Sequence, residues 1–257
     1  MPPKYETKAK ERIRKGLQKY TAVLEAAAQR GINEEDTSVI VHEMLVDLLG
    51  YERFREVTGQ YKVKGHFADW AVQIEDKIKF FVEVKALGTK LREKDLFQVT
   101  AYSRQGRSLD WAVITSGDVW QCFRVASGSE PEQFFEVRLM DPSQPLDKTL
   151  DDLYLLSREA ASRDGLQVKW EQAECYRPEG LARALLGEEV LTVLKRVVKR
   201  ENPGRRVDID DLKEALARSV IRGDVYAAPA QTDTAGTARR KKHLPSAPAG
   251  DPVTPQA

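Results

Sequence analysis

Soft metal ligands are scarce in this 257-residue chain, which has two cysteines and three histidines. Cys122 and Cys175 lie far apart, and His42, His66 and His243 are equally scattered, so no zinc-site spacing can be assembled from them. No apolar run approaches the length that crosses a bilayer, which argues against a membrane protein. The opening stretch "MPPKYETKAKERIRK" lacks the apolar core of a secretory signal, and a cytoplasmic setting with reduced thiols is expected. Charge of one sign is missing too. With 41 basic against 40 acidic residues, any nucleic-acid contact must come from a local patch. Neither a Walker-type phosphate loop nor an internal repeat is present, which excludes a visible ATP motor and a solenoid.

What remains is an ordered series of amphipathic segments. Residues 6–30 carry Ile13, Leu17, Tyr20, Leu24 and Ala27 at steps of three and four, which predicts a helix with a basic opposite face. A second helix is expected from Asn33, a plausible N-cap, to a stop at Gly50, with Val41, Met44, Leu45 and Leu48 as its buried stripe. Glu34 falls on that stripe at the first turn, and Glu43 points away from it. Strand-like segments follow at "HFADWAVQI" and "KFFVEVKAL", joined by "EDK". A helical stretch "KDLFQVTAYSRQ" comes next, then strands "DWAVITSG", "VWQCFRV" and "QFFEVRLM". Strands, a helix and strands again predict an α/β fold with a mixed sheet flanked by helices. Trp70, Trp111 and Trp120 are expected in its core. From about residue 146 the pattern is helical, and beyond residue 226 it turns to Ala, Pro, Thr and Gly, the composition of a disordered tail.

The segment "FFVEVKALG" (residues 80–88) is unusual for a buried strand. Alternation puts Phe80, Val82 and Val84 on one face and Phe81, Glu83 and Lys85 on the other. On the preceding strand Asp69 falls on the face of Ala71. A hairpin symmetric about Asp76 sets Asp69 directly opposite Glu83, and a turn shifted by one residue makes the contact diagonal. Two neighbouring carboxylates repel, and Lys85 supplies one offsetting charge. A hard divalent cation, Mg2+ or Mn2+, would supply the rest. The plainer alternative is a surface ion-pair ladder.

In order along the first 125 residues, "NEEDTSVIVHEMLVDLLGY", "GHFADWAV", "FFVEVKA", "QVTAY" and "WAVITSGDVWQCF" resemble the PD-(D/E)XK nuclease superfamily, specifically the N-terminal nuclease domain of type I restriction enzyme R subunits and their stand-alone relatives. The resemblance implies a restriction-endonuclease-like domain over residues 1–145, while a helical extension over 146–226 and a disordered tail over 227–257 are expected from pattern and composition alone. It also implies a Mg2+-dependent endodeoxyribonuclease acting in restriction, anti-phage defence or DNA processing. In that pattern Asp69, Glu83 and the carbonyl of Val84 hold the metal, and Lys85 aligns water. Glu34 assists, with Glu35 and Glu43 as rival helix-borne acids. Gln98 and Tyr102, one helical turn apart, position the DNA backbone. Lys62, Lys64, Lys90, Arg92 and Lys94 flank the site and are candidates for lining a DNA groove. Expected partners are DNA, a second copy of the chain, and a motor or specificity subunit. The alternative function is a module that keeps the fold, binds DNA or a partner and does not cleave.

Overall fold

The computed structural model describes residues 2–63, 66–91, 110–125 and 130–221. Two compact units divide the chain, Met1–Arg177 and Pro178–Ala257. The first is a mixed α/β unit built on one six-stranded sheet. Its elements run α1 (Lys4–Arg30), α2 (Glu34–Glu43, continued by a π-helical turn Met44–Leu48), β1 (Val57–Val63), β2 (His66–Ile74), β3 (Lys77–Val84), β4 (Trp111–Thr115), β5 (Val119–Arg124), β6 (Glu132–Arg138), α3 (Leu146–Leu155), α4 (Arg158–Ala161) and α5 (Gly165–Cys175). The second unit holds α6 (Pro178–Leu185), α7 (Glu188–Glu201) and α8 (Ile209–Ala215, continued by a π-helical turn Leu216–Val220). Among the described residues no helix is long and apolar enough to cross a membrane. The expected helix carrying Gln98 and Tyr102 and the expected tail 227–257 lie outside the described residues.

Strand order follows the sequence, β1 to β6. Only β3 and β4 are parallel, and the long connection from 85 to 110 makes that crossover. Alternation sorts the strand residues between two faces. Val72, Phe80, Val82, Val84, Val113, Trp120, Cys122 and Val137 form the larger cluster with the apolar stripes of α1, α2, α3 and α5. On α1 the buried residues include all five expected from periodicity. The other face buries a smaller set, Ala68, Ala71, Phe81, Ala112, Ile114 and Phe123, with Tyr61, Ile78 and Leu91 packed against it. Trp111 and Trp120 are core residues as expected, and Trp70 is partly buried against the larger cluster.

Strand β1 is absent from the sequence reading. Val57, Gly59, Tyr61 and Val63 alternate with Thr58, Gln60 and Lys62, but Gly59 and Gln60 at the centre read as a turn, and Gln60 does take a positive φ of 46°, on an edge strand with one neighbour. Gly59 sits in its middle because the ring of Trp70 lies across from it, and a Cβ there would come within 2.9 Å of that ring. The expected boundary at residues 145 and 146 falls inside the first unit. Helix α3 packs against α1 and β6, and Leu150, Leu153, Leu156, Leu166 and Trp170 complete the main core, so these helices are part of the first unit.

The β2–β3 turn places both Glu75 and Asp76 at positive φ, 50° and 60°. This is a two-residue turn centred between them, half a residue off the expected point. Near it Gln73 faces Ile78 and Ile74 faces Lys77. One extra residue on β3, Lys79, then shifts the ladder, so that Val72 faces Phe80 and Trp70 faces Val82. The irregularity restores the expected register, in which Asp69 and Glu83 would be the next pair beyond Trp70 and Val82, where the ladder ends.

Candidate active site

The site forms where β2 and β3 part. The last ladder pair is Trp70 with Val82, while β3 runs on beside β4 through Val84 opposite Thr115. Lys85 N–H continues that pairing by donating to the Thr115 carbonyl at 2.8 Å. In the fork, Asp69 Oδ2 accepts the Val84 N–H at 2.7 Å. The aspartate thereby takes the place of a missing backbone acceptor and is anchored beside the Glu83–Lys85 segment.

Glu83 is buried, 4% exposed, on the face of the smaller cluster. Lys85 Nζ donates to Glu83 Oε1 at 2.8 Å. Among the described residues, the only buried side-chain nitrogen or oxygen without a hydrogen-bond partner is Glu83 Oε2. A buried carboxylate oxygen left unsatisfied costs about 1–3 kcal/mol, so natural folds seldom keep one without a use. Burial, and next the repulsion from Asp69, push the Glu83 carboxyl up to about 7 against the opposing pull of Lys85. Burial also works against the Lys85 ammonium, but its hydrogen bond to Glu83 and the nearby Glu34 and Asp69 outweigh it and hold the amine above its usual range.

Helix α2 brings the fourth group. Asn33 caps it as expected, its side chain accepting from Asp36 N–H at 2.8 Å. Glu34, in the first turn and more than half exposed, reaches within 4.0 Å of Lys85 Nζ. Its two rivals make no ion pair with Lys85 among the described residues. Glu43 is clasped by Arg53 through two contacts of 2.6 Å, and Glu35 is exposed. Thr37 holds the helix start in position. It is fully buried, donates to the Asn33 carbonyl at 2.7 Å and accepts Leu87 N–H at 3.1 Å, tying α2 to the segment just past Lys85. The sequence reading passed over Thr37. Its signal was a threonine four residues after the cap, where a hydroxyl can bond back to the cap carbonyl.

Asp69, Glu83, Lys85 and Glu34 therefore come together, with Val84 among them. Lys62 lies exposed on edge strand β1, and Lys90 is exposed beyond the turn at Gly88. Lys64, Arg92, Lys94, Gln98 and Tyr102 lie outside the described residues. Among the described residues no group of three or more His, Cys, Asp and Glu side chains is placed to cage a metal. The donors here are two carboxylates, Asp69 and Glu83, one of them with a free buried oxygen. That set fits a hard divalent cation that keeps part of its water shell and takes a backbone oxygen, as Mg2+ does. Neither protein-family models, nor curated proteins, nor solved structures give a match to this chain.

Proposed function

We propose that the chain is a Mg2+-dependent endodeoxyribonuclease of the PD-(D/E)XK kind, serving a defence or DNA-processing system. One observation carries the reading. Glu83 Oε2 is buried, has no partner, and sits beside an anchored aspartate and a charged lysine. A surface ion-pair ladder does not need a carboxylate this deep, and a purely structural pair would satisfy both oxygens.

Asp69 and Glu83 would hold the ion, with the Val84 carbonyl as a further donor. Such an ion, when bound, polarises a phosphoryl oxygen and lowers the pKa of water. Lys85 orients the attacking water and opposes the negative charge that grows on the phosphoryl oxygens. Glu34 holds Lys85 from the solvent side and keeps its ammonium charged. Thr37 positions Glu34 by fixing the start of α2 against Leu87. Gln98 and Tyr102 keep the backbone-positioning role that the resemblance assigns to them.

Nicking of supercoiled plasmid in Mg2+ and in Mn2+ tests this. Wild type is expected to nick, and Lys85→Ala to lose at least about a hundredfold, the scale on which one charged transition-state contact acts. Equal rates in the two proteins would contradict the reading. So would a wild type inert on supercoiled, linear and single-stranded DNA with either metal, which would favour a non-cleaving module.

A further inference from the structure

Helix α7, in the second unit, separates its residues into two opposite faces. At 100° per residue, Leu191, Leu194, Val197 and Val198 share one side, and Lys195, Arg196, Lys199 and Arg200 share the other. The apolar side is the one withdrawn from solvent. Leu191 is buried, Leu194, Val197 and Val198 are half-buried, and the helix packs against α6 and α8. Of the four cations Lys195 is half-buried, and the other three are exposed. The turn that follows, through Gly204 at φ 77°, adds exposed Arg205 and Arg206. Residues 195–206 thus hold six cations and a single acid, Glu201, in a chain whose net charge is +1.

Among the described residues, none of the six side chains makes an ion pair or a hydrogen bond. The nearest elements carry acids that could have paired with them, including Asp210, Asp211 and Glu214 on α8, yet Glu214 pairs instead with Arg218 on its own helix at 3.3 Å. In the first unit Lys4, Lys8, Lys15, Arg30, Lys77 and Lys169 also make no ion pair among the described residues, but they are spread over several elements, and other cations there are paired. Lys10, Arg12, Lys19, Arg53 and Arg158 each sit within 2.7 Å of a carboxylate. Complementing the helix dipole would call for cations in the last turn only, which accounts for Lys199 and Arg200 but not for Lys195, Arg196, Arg205 or Arg206.

We infer that the outer face of α7 and the turn after it form a second DNA-binding surface, engaging the phosphate backbone without reading bases. Lys195 and Lys199, and Arg196 and Arg200, form two rows with a step of about 6 Å along the helix, so one strand's phosphates can be met at successive positions. A lipid surface would have the same charge, but helices that lie in membranes present Trp, Phe or Leu on the side away from their cations. Here both leucines face inward and the exposed apolar residues are Val190 and Val193. The choice of DNA as the polyanion rests on the nuclease reading, whereas the charge argument stands apart from it.

The test uses the full chain with a fluorescein-labelled 30-base-pair duplex, read by anisotropy in EDTA across a range of NaCl, so that cleavage plays no part. The variant is Lys195→Gln, Arg196→Gln, Lys199→Gln and Arg200→Gln together, which keeps good helix formers. It is expected to bind about 100-fold more weakly at low salt, and its log K against log[NaCl] slope to be shallower by about 3–4, the share of four released counterions. Circular dichroism should be unchanged. The control Arg183→Gln with Lys213→Gln, on the neighbouring helices, is expected to stay within about threefold of wild type, since general charge alone is screened at these distances.

Affinity of the fourfold variant within twofold of wild type would overturn the inference. So would an equal loss per charge in the control, or a wild type that does not bind the duplex. Binding through the same four residues to phosphatidylserine vesicles, with none to DNA, would assign the surface to lipid instead. The nuclease reading fails separately. Duplex binding lost with the four cations, in a wild type that nicks under no metal, leaves the α7 surface standing alone. Nicking unaffected by the four substitutions, with binding also unaffected, leaves the nuclease alone.

Discussion

If the chain is the proposed nuclease, Asp69→Asn is expected to lower metal-dependent nicking at least ~1000-fold while leaving the fold intact, a loss on the scale of ~4 kcal/mol of transition-state stabilisation. The two halves of this prediction come from two jobs of one side chain. As a charge, Asp69 is half of the carboxylate pair proposed to hold the ion, and an amide cannot replace it. As an acceptor, it serves the Val84 N–H at 2.7 Å, and the Asn Oδ1 can do the same. Asp69→Ala removes both, so it should be equally inactive and also less stable by about 1–2 kcal/mol, the cost of leaving that amide without an acceptor. Urea unfolding of the two variants separates the jobs. An Asp69→Asn protein that nicks at the wild-type rate would show that the aspartate is only a strand-end anchor.

Arg12→Ala lowers stability by about 2–3 kcal/mol, the largest effect expected from a residue remote from the site. Arg12 Nε donates to the Leu48 carbonyl at 3.1 Å and Nη2 to the Leu49 carbonyl at 3.0 Å, satisfying the open end of α2. Nη1 and Nη2 meet the two oxygens of Glu159 at 2.6 and 2.8 Å, which binds α4 to α1. Burial raises the Glu159 carboxyl, but the Arg12 guanidinium more than offsets this and holds it below its usual range. The pair is roughly a quarter to a third exposed, and solvent screening keeps the figure at the lower end for a buried ion pair. Gly50 belongs to the same arrangement. Its φ is 86°, and a Cβ there would meet the guanidinium at 2.5 Å. Denaturation midpoints in urea check the prediction, and a change under ~0.5 kcal/mol, the range of ordinary surface substitutions, would refute it.

The parts of this molecule that were legible in its sequence are those where one rule acts alone. The α1 stripe follows from period alone, because one face packs on the end of α2, α3 and α4 and the other meets water. The approach of Asp69 to the Glu83–Lys85 segment followed from alternation and an assumed turn centre. The actual turn is displaced, and Lys79 as an extra residue on β3 cancels the displacement, which no local pattern announces. Strand β1 went unread although its residues alternate, because Gly59 and Gln60 at its centre read as a turn, and what holds Gly59 there is the ring of Trp70 across the sheet. Thr37 was illegible because its contact with Leu87 joins residues 50 positions apart. The end of the first unit was placed too early because helices α3 to α5 have the composition of an extension, while Leu153 and Trp170 sit in the sheet's core. Alternation could place Glu83 on a face, but only the packed structure reveals that its second oxygen has no partner.

Anomalous diffraction from a crystal of the wild-type protein grown with Mn2+ tests the metal site most directly. The expected result is a Mn peak between Asp69 and Glu83, about 2.0–2.3 Å from an oxygen of each, with Glu83 Oε2 among the ligands. No peak there at a saturating Mn2+ concentration, in a site free of lattice contacts, would contradict it.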